Sequence, residues 1–201
     1  MSMKSISDKN LSHSGKPCLY FAKAGEQNTQ AVIDAVAHRM AENNIDKVLV
    51  ATSTGRSALL AAKVIPPAKI VVITHHTGFE KPDVQTLNEK TRNELSAMGI
   101  PIFTGIHAFG GVGRSVRKKL GAYQVDEIIA FTLRTFGQGT KVAVEIALMA
   151  TDAGLVRTDE YVIAMGGTNS GLDTALVLKP VNANSFLDIK IREIICKPLE
   201  F

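Results

Sequence analysis

A chain of 201 residues, 45% of them hydrophobic, can bury a sizeable core and suits one large domain better than two small ones. Its 23 basic and 19 acidic residues give a net charge of +4 without one long charged block. Aromatics are 5% of residues and tryptophan is absent, which argues against a nucleic-acid binder that stacks bases. No run of about 18 apolar residues marks a membrane span. Residues 1–16 lack the apolar core of a signal peptide and read as a loose tail, leaving 17–201 as a single domain. The two cysteines, Cys18 and Cys196, stand in no metal spacing; free thiols in a reducing cytoplasm are expected.

The chain alternates strands and helices. Cys18 to Ala22 is a short apolar run and the first strand. Asn28 and Thr29 offer a cap for a helix from about Gln30 to Glu42, with Ala31, Ile33, Ala35, Val36 and Met40 at helical spacing. Lys47 to Ala51 is a strand. The helix after it ends near Pro66-Pro67, and Lys69 to Thr74 is another strand. Neither strand alternates polar with apolar residues, which predicts burial on both faces of a parallel sheet. Leu87 to Met98 is an amphipathic helix closed by Gly99. Ile100 to Phe103 is a short strand, Gly105 to Gly113 a glycine-rich loop, and Val112 to Leu120 a basic helix.

Asp126 to Thr135 reads as a helix. After Phe136–Thr140 comes Lys141 to Asp152, a helix apolar nearly all round, which must be deeply buried or lie in a subunit interface. Glu160 to Met165 and Thr174 to Leu178 are strands around the turn Gly166–Gly171, close enough to form an antiparallel hairpin. Leu187 to Cys196 is the last strand. The pattern predicts a three-layer α/β sandwich with right-handed crossovers.

The candidate binding residues gather in loops. After Lys47–Ala51 come Thr52, Ser53, Thr54, Gly55, Arg56 and Ser57. Hydroxyls, a glycine and an arginine at a helix start are donors for a phosphate, and Gly55 would let a ligand approach the backbone. The alternative is an ordinary capped helix in which Arg56 makes a surface salt bridge. His75 and His76 follow a buried strand, and His107 lies in a glycine-rich loop; each either meets a ligand or is structural, and no ligand spacing makes them a metal site. Gly110, Gly111 and Arg114 fit neither the Walker nor the dinucleotide pattern but leave an anion contact open. Phe136, Gly137, Gln138, Gly139 and Thr140 precede the apolar helix and offer a second anion site. Glu145 is the only charge between Val142 and Met149, so it needs a partner; an ion pair with an arginine is expected.

Thr52–Ala58 resembles the phosphate loop of the C-terminal α/β domain of pyruvate kinases. Thr174-Ala175-Leu176-Val177, after the glycine-rich turn, is similar to that domain's late strand. The phrases Phe136–Glu145 and Met165–Thr168 resemble stand-alone proteins of this type. The resemblance covers about Pro17 to Pro198 and leaves no room for the catalytic barrel, so pyruvate kinase activity is not expected. It implies a mostly parallel five-stranded sheet with its last strand antiparallel, and ligands beyond the carboxyl ends of the strands. It also implies that the Thr52–Ser57 loop grips one phosphate, that Gly166, Gly167 and Thr168 lie near another, and that flavin mononucleotide (FMN) is the ligand. A phosphorylated small molecule bound by a cytoplasmic homo-oligomer is therefore the leading expectation. The alternatives are a flavin-dependent oxidoreductase or sugar-phosphate enzyme, and a regulatory module that senses a sugar bisphosphate. No catalytic constellation can be assembled from the sequence.

Overall fold

A computed structural model describes residues 15–201. The expected tail lies outside the described residues except for Gly15 and Lys16. The elements in chain order are β1 (Leu19–Lys23), α1 (Thr29–Asn43), β2 (Lys47–Ala51), α2 (Arg56–Ala61), β3 (Ile70–Thr74), α3 (Glu89–Ala97) and β4 (Ile102–Thr104). Then come α4 (Val112–Leu120), α5 (Val125–Arg134), α6 (Gln138–Asp152), β5 (Val162–Gly166), β6 (Thr174–Lys179) and β7 (Lys190–Glu200). Short 3-10 turns cover Glu26–Asn28, Pro67–Lys69 and Ala183–Asp188.

All seven strands among the described residues join one sheet in the order β1-β7-β6-β5-β2-β3-β4. Every neighbouring pair is parallel except the two pairs that include β6. The antiparallel hairpin of β5 and β6 is present, with Val162 opposite Leu178 and Gly166 opposite Thr174. The five-stranded sheet is extended by two strands at one side. β7, 11 residues long, outruns β6 and would leave an open edge; β1 covers it, with Leu19 opposite Cys196. The single antiparallel strand is thus the penultimate one. β7 starts later than the alternation suggests because Ala183–Asp188 coils into 3-10 turns first.

The central strands face apolar layers on both sides, which explains their unbroken apolar sequences. Val48, Val50, Ile163 and Met165 point into one core with Val32, Ile33 and Val36 of α1 and Ala58 of α2. Leu49, Val71, Val162 and Ala164 point into the other with Ala143, Val144, Ala147 and Leu148 of α6. The apolar α6 is accounted for by burial: it lies across β5, β2, β6 and β3 and packs against α5.

Close approach of α6 to the sheet depends on missing side chains. A Cβ on Gly166 would overlap the Gly139 carbonyl oxygen and come 3.0 Å from Ala143 N. A Cβ on Gly139 would overlap Thr174 Oγ1 and come 2.5 Å from Asp173 Oδ1. These two glycines of the predicted binding loops are packing positions. Gly166→Ala should therefore cost about 1–3 kcal/mol, the usual penalty of overpacking. Urea unfolding should show a lower midpoint at unchanged slope; an unshifted midpoint would mean that the helix can move off the strand freely.

Candidate functional site

The carboxyl ends of β2, β3, β4 and β5 deliver their loops to one edge of the sheet, as in other open α/β sheets. Together with the start of α1 and the cavity-facing side of α6 they enclose a cavity of about 680 Å³. This is within the range of small-molecule sites.

The outer rim is the loop after β2. Gly55 adopts φ +89° and the Gly55 N–H donates to Thr52 Oγ1 at 3.0 Å, so Thr52 closes the turn. No side chain among the described residues caps α2. Thr52, Ser53, Thr54, Arg56 and Ser57 line the cavity. Gly55 does not: a Cβ there would strike Thr91 and come 2.9 Å from Leu87, so its space faces the protein and not a ligand. Arg56 Nη1 donates to Glu26 Oε2 at 3.0 Å, and Ser170 Oγ reaches the same oxygen at 3.3 Å. The Arg56 side chain is 72% exposed. Such a surface pair contributes little to stability and can be exchanged for an anion at small cost.

The turn after β5 is held from behind by Asp173, which sequence reasoning missed. This fully buried carboxylate accepts the Gly25 and Thr168 N–H groups at 3.1 and 3.0 Å and the Thr174 hydroxyl at 2.8 Å. It also lies against Gly139 in the first turn of α6, where a negative charge complements the helix dipole. Part of the anion preference expected at Phe136–Thr140 is thus met by the protein. Gln138, Gly139 and Thr140 belong to α6 itself. Of that group only Gln138 lines the cavity, its Oε1 accepting from Arg134 Nε at 2.6 Å. Phe136 is exposed, Gly137 lies beside the Phe201 ring, and the Thr140 hydroxyl donates to the Phe136 carbonyl.

One wall is aromatic. Phe79 stacks on His107 with ring centroids 5.0 Å apart, and His75 lies 4.1 Å from Phe79 and 5.4 Å from His107. His76 touches the same rings from behind, 5.3 Å from His107, and does not line the cavity. No group of three His, Cys, Asp or Glu among the described residues could hold a metal ion. Arg114 lies over Phe79 at 5.4 Å and lines the cavity; Gly110 and Gly111 do not. Of the Gly166–Thr168 group only Gly167 lines it, while Thr168 Oγ1 is buried without a partner among the described residues.

The floor is a buried ion pair. Lys141 and Glu145, one turn apart on α6, have side chains only 4% and 5% exposed and bond to each other. The partner expected for Glu145 was an arginine; it is this lysine, four residues earlier. The spacing of the two charges in an otherwise apolar helix was the signal that could have found it. Glu145 Oε1 also accepts the Phe109 N–H at 3.0 Å, and Oε2 lies 3.9 Å from His107 Nδ1. Burial lowers the Lys141 pKa from its ordinary value, against the opposing pull of Glu145. Burial likewise lowers His75, and pushes His107 from 6.5 down to about 4 against the attraction of Glu145.

A family model described as pyruvate kinase, alpha/beta domain matches residues 30–178. Among solved structures, the chain is similar to the NH3-dependent NAD synthetase from Campylobacter jejuni in complex with the nitrate ion, at 12% identity and a TM-score of 0.33. That match covers 68% of this chain and 54% of the synthetase, so the likeness spans about half of the other protein's length. No helix among the described residues is long and apolar enough to cross a membrane.

His107 gives a test of the buried wall. Its imidazole is neutral when folded, while the unfolded chain takes up a proton as pH falls below 6.5. Stability should therefore fall between pH 6.5 and about 4 and level off below. The full difference is about 3 kcal/mol. Urea unfolding across this range should show that loss of ~3 kcal/mol removed in His107→Gln. Identical pH profiles would mean that His107 titrates as it does in water.

Proposed function

The chain belongs to the pyruvate kinase alpha/beta domain family, and from that premise we propose that it binds a phosphorylated small molecule, with FMN as that ligand. The carrying observation is the division of the cavity into a rim rich in hydroxyls and an aromatic wall. Thr52, Ser53, Thr54 and Ser57 bring hydroxyls to the rim, and Arg56 brings an exchangeable guanidinium. The cavity is lined by four cationic side chains, Arg56, Arg114, Arg134 and Lys141, against the two carboxylates Glu26 and Glu145. Both carboxylates are already paired, with Arg56 and Lys141, which leaves Arg114 and Arg134 in excess for an anion.

Phe79, His75 and His107 supply the flat, mostly uncharged surface that a ring system needs, and the lowered imidazole pKa values keep that wall neutral at pH 7. These residues fit FMN: the rim suits its phosphate, the wall its rings, and the Lys141 ammonium an electronegative ring edge. When bound, the flavin would supply electron-transfer chemistry that the side chains cannot. The chain's own residues would seat the phosphate, orient the ring and keep water from one face.

Titration of the unliganded protein with FMN, followed by flavin fluorescence, tests the reading. FMN should bind, and riboflavin, without the phosphate, should bind at least ~10-fold more weakly, as expected for loss of charged hydrogen bonds worth about 1.5–3 kcal/mol. Arg56→Ala should weaken FMN binding by a similar factor and leave riboflavin unchanged. Equal affinities for the two flavins would remove the phosphate seat. A sugar bisphosphate that binds while both flavins do not would favour a sensor, for which the surplus of Arg114 and Arg134 is the supporting feature.

A further inference from the structure

Lys141 carries three N–H donors, and among the described residues the Glu145 carboxylate is its hydrogen-bond partner. The Phe109 ring lies 5.8 Å from Nζ and takes no proton from it. An ion pair that served packing alone would gain from being closed off on all sides. This one lines a cavity that opens to solvent, and the same cavity has a hydroxyl-rich rim at Thr52–Ser57. A buried amine beside its own carboxylate, in a space with an oxyanion seat, has the composition of a carbonyl-capturing site.

We propose that Lys141 is a nucleophile that captures phosphorylated aldehydes or ketones as an imine. This goes beyond FMN binding but rests on the same phosphate rim. In the resting state Nζ is an ammonium and Glu145 a carboxylate. Nζ passes one proton to Glu145 and attacks the carbonyl carbon, so that a C–N bond forms and the carbonyl oxygen takes the electron pair. A proton moves from nitrogen to that oxygen, giving a carbinolamine. Glu145 then returns its proton to the hydroxyl, the C–O bond breaks, and water leaves. The product is a protonated imine facing the Glu145 carboxylate, with one positive and one negative charge at the floor as before. The balance is one amine and one carbonyl to one imine and one water, and no other reactant is needed.

The neighbourhood eases loss of the ammonium proton. The charged and titratable groups acting on Nζ are Glu145 on α6, Arg134 of α5 and Arg114 of α4, with His107 from the loop after β4 coupled to the pair; His75 lines the same cavity. Two guanidiniums and burial oppose the ammonium, and Glu145 alone sustains it. The Phe109 N–H fixes Glu145 Oε1, so that Oε2 remains on the lysine.

The test uses the full-length protein and pyridoxal 5′-phosphate, a phosphorylated aldehyde, followed by borohydride reduction and peptide mapping by mass spectrometry. Lys141 should be the first lysine modified, and pyridoxal without the phosphate should label it at least ~10-fold more slowly. The rate should rise with pH, with a midpoint below that of the surface lysines. Lys141→Arg keeps a charge for Glu145 and should lose the label at that position while retaining a cooperative thermal transition. Glu145→Gln should label more slowly. Modification confined to surface lysines, with Lys141 untouched, overturns the proposal. Equal labelling of Lys141 by pyridoxal and its phosphate would leave the amine reactive but refute both the phosphorylated substrate class and the phosphate rim.

Discussion

Two opposite charges inside the most deeply buried helix among the described residues set the terms for the rest of the cavity. Neither Lys141 nor Glu145 could be buried alone without a cost of several kcal/mol, and their separation by one helical turn lets each neutralise the other. The pair is the charged interruption of the stretch between Thr140 and Thr151 on a helix that lies across four strands. The Phe109 amide completes the carboxylate, and both side chains line the cavity. A cavity floor of this kind is costly to build for packing alone, since apolar residues of similar size would serve the core as well or better.

The position of that floor follows from strand direction. Four parallel strands release their chains at one edge, where backbone groups leave the sheet ladder and seek other partners. β6 runs the other way, so its first residue returns to the same edge beside the end of β5. Asp173 just before it collects the Gly25 amide, ahead of the 3-10 turn that leads into α1, and the Thr168 amide in the turn after β5. One buried carboxylate thereby holds the mouth of the cavity beside the Thr52–Ser57 loop, where Glu26 bridges Arg56 and Ser170. Gly139 and Gly166 let α6 approach closely enough for its charged turn to reach the interior.

Much of this was legible in the residues. Apolar runs without alternation located β2 and β3, and the spacing of turn residues located the hairpin of β5 and β6. Those signals are local and strong. The loop after β2 was readable as a candidate anion site because hydroxyls and an arginine cluster at a strand end. The roles of its glycine and of the Gly137–Thr140 segment were not readable, because they depend on what packs behind them: Thr91 and Leu87 in one case, Asp173 and Thr174 in the other. The sheet's extra strands were visible as segments but not as one sheet, since the pairing of β1 with β7 joins opposite ends of the chain. Lys141 escaped notice for a related reason. A lysine at a helix start is usually solvated, and only the tertiary position of α6 reveals that this one is not.

A crystal structure of the protein soaked with FMN would measure the central arrangement most directly. The phosphate oxygens should lie within about 2.7–3.2 Å of donors in the Thr52–Ser57 loop. The ring should rest against Phe79 and His107, with an electronegative edge toward Lys141. A phosphate held elsewhere on the surface, with that cavity filled only by water, would contradict it.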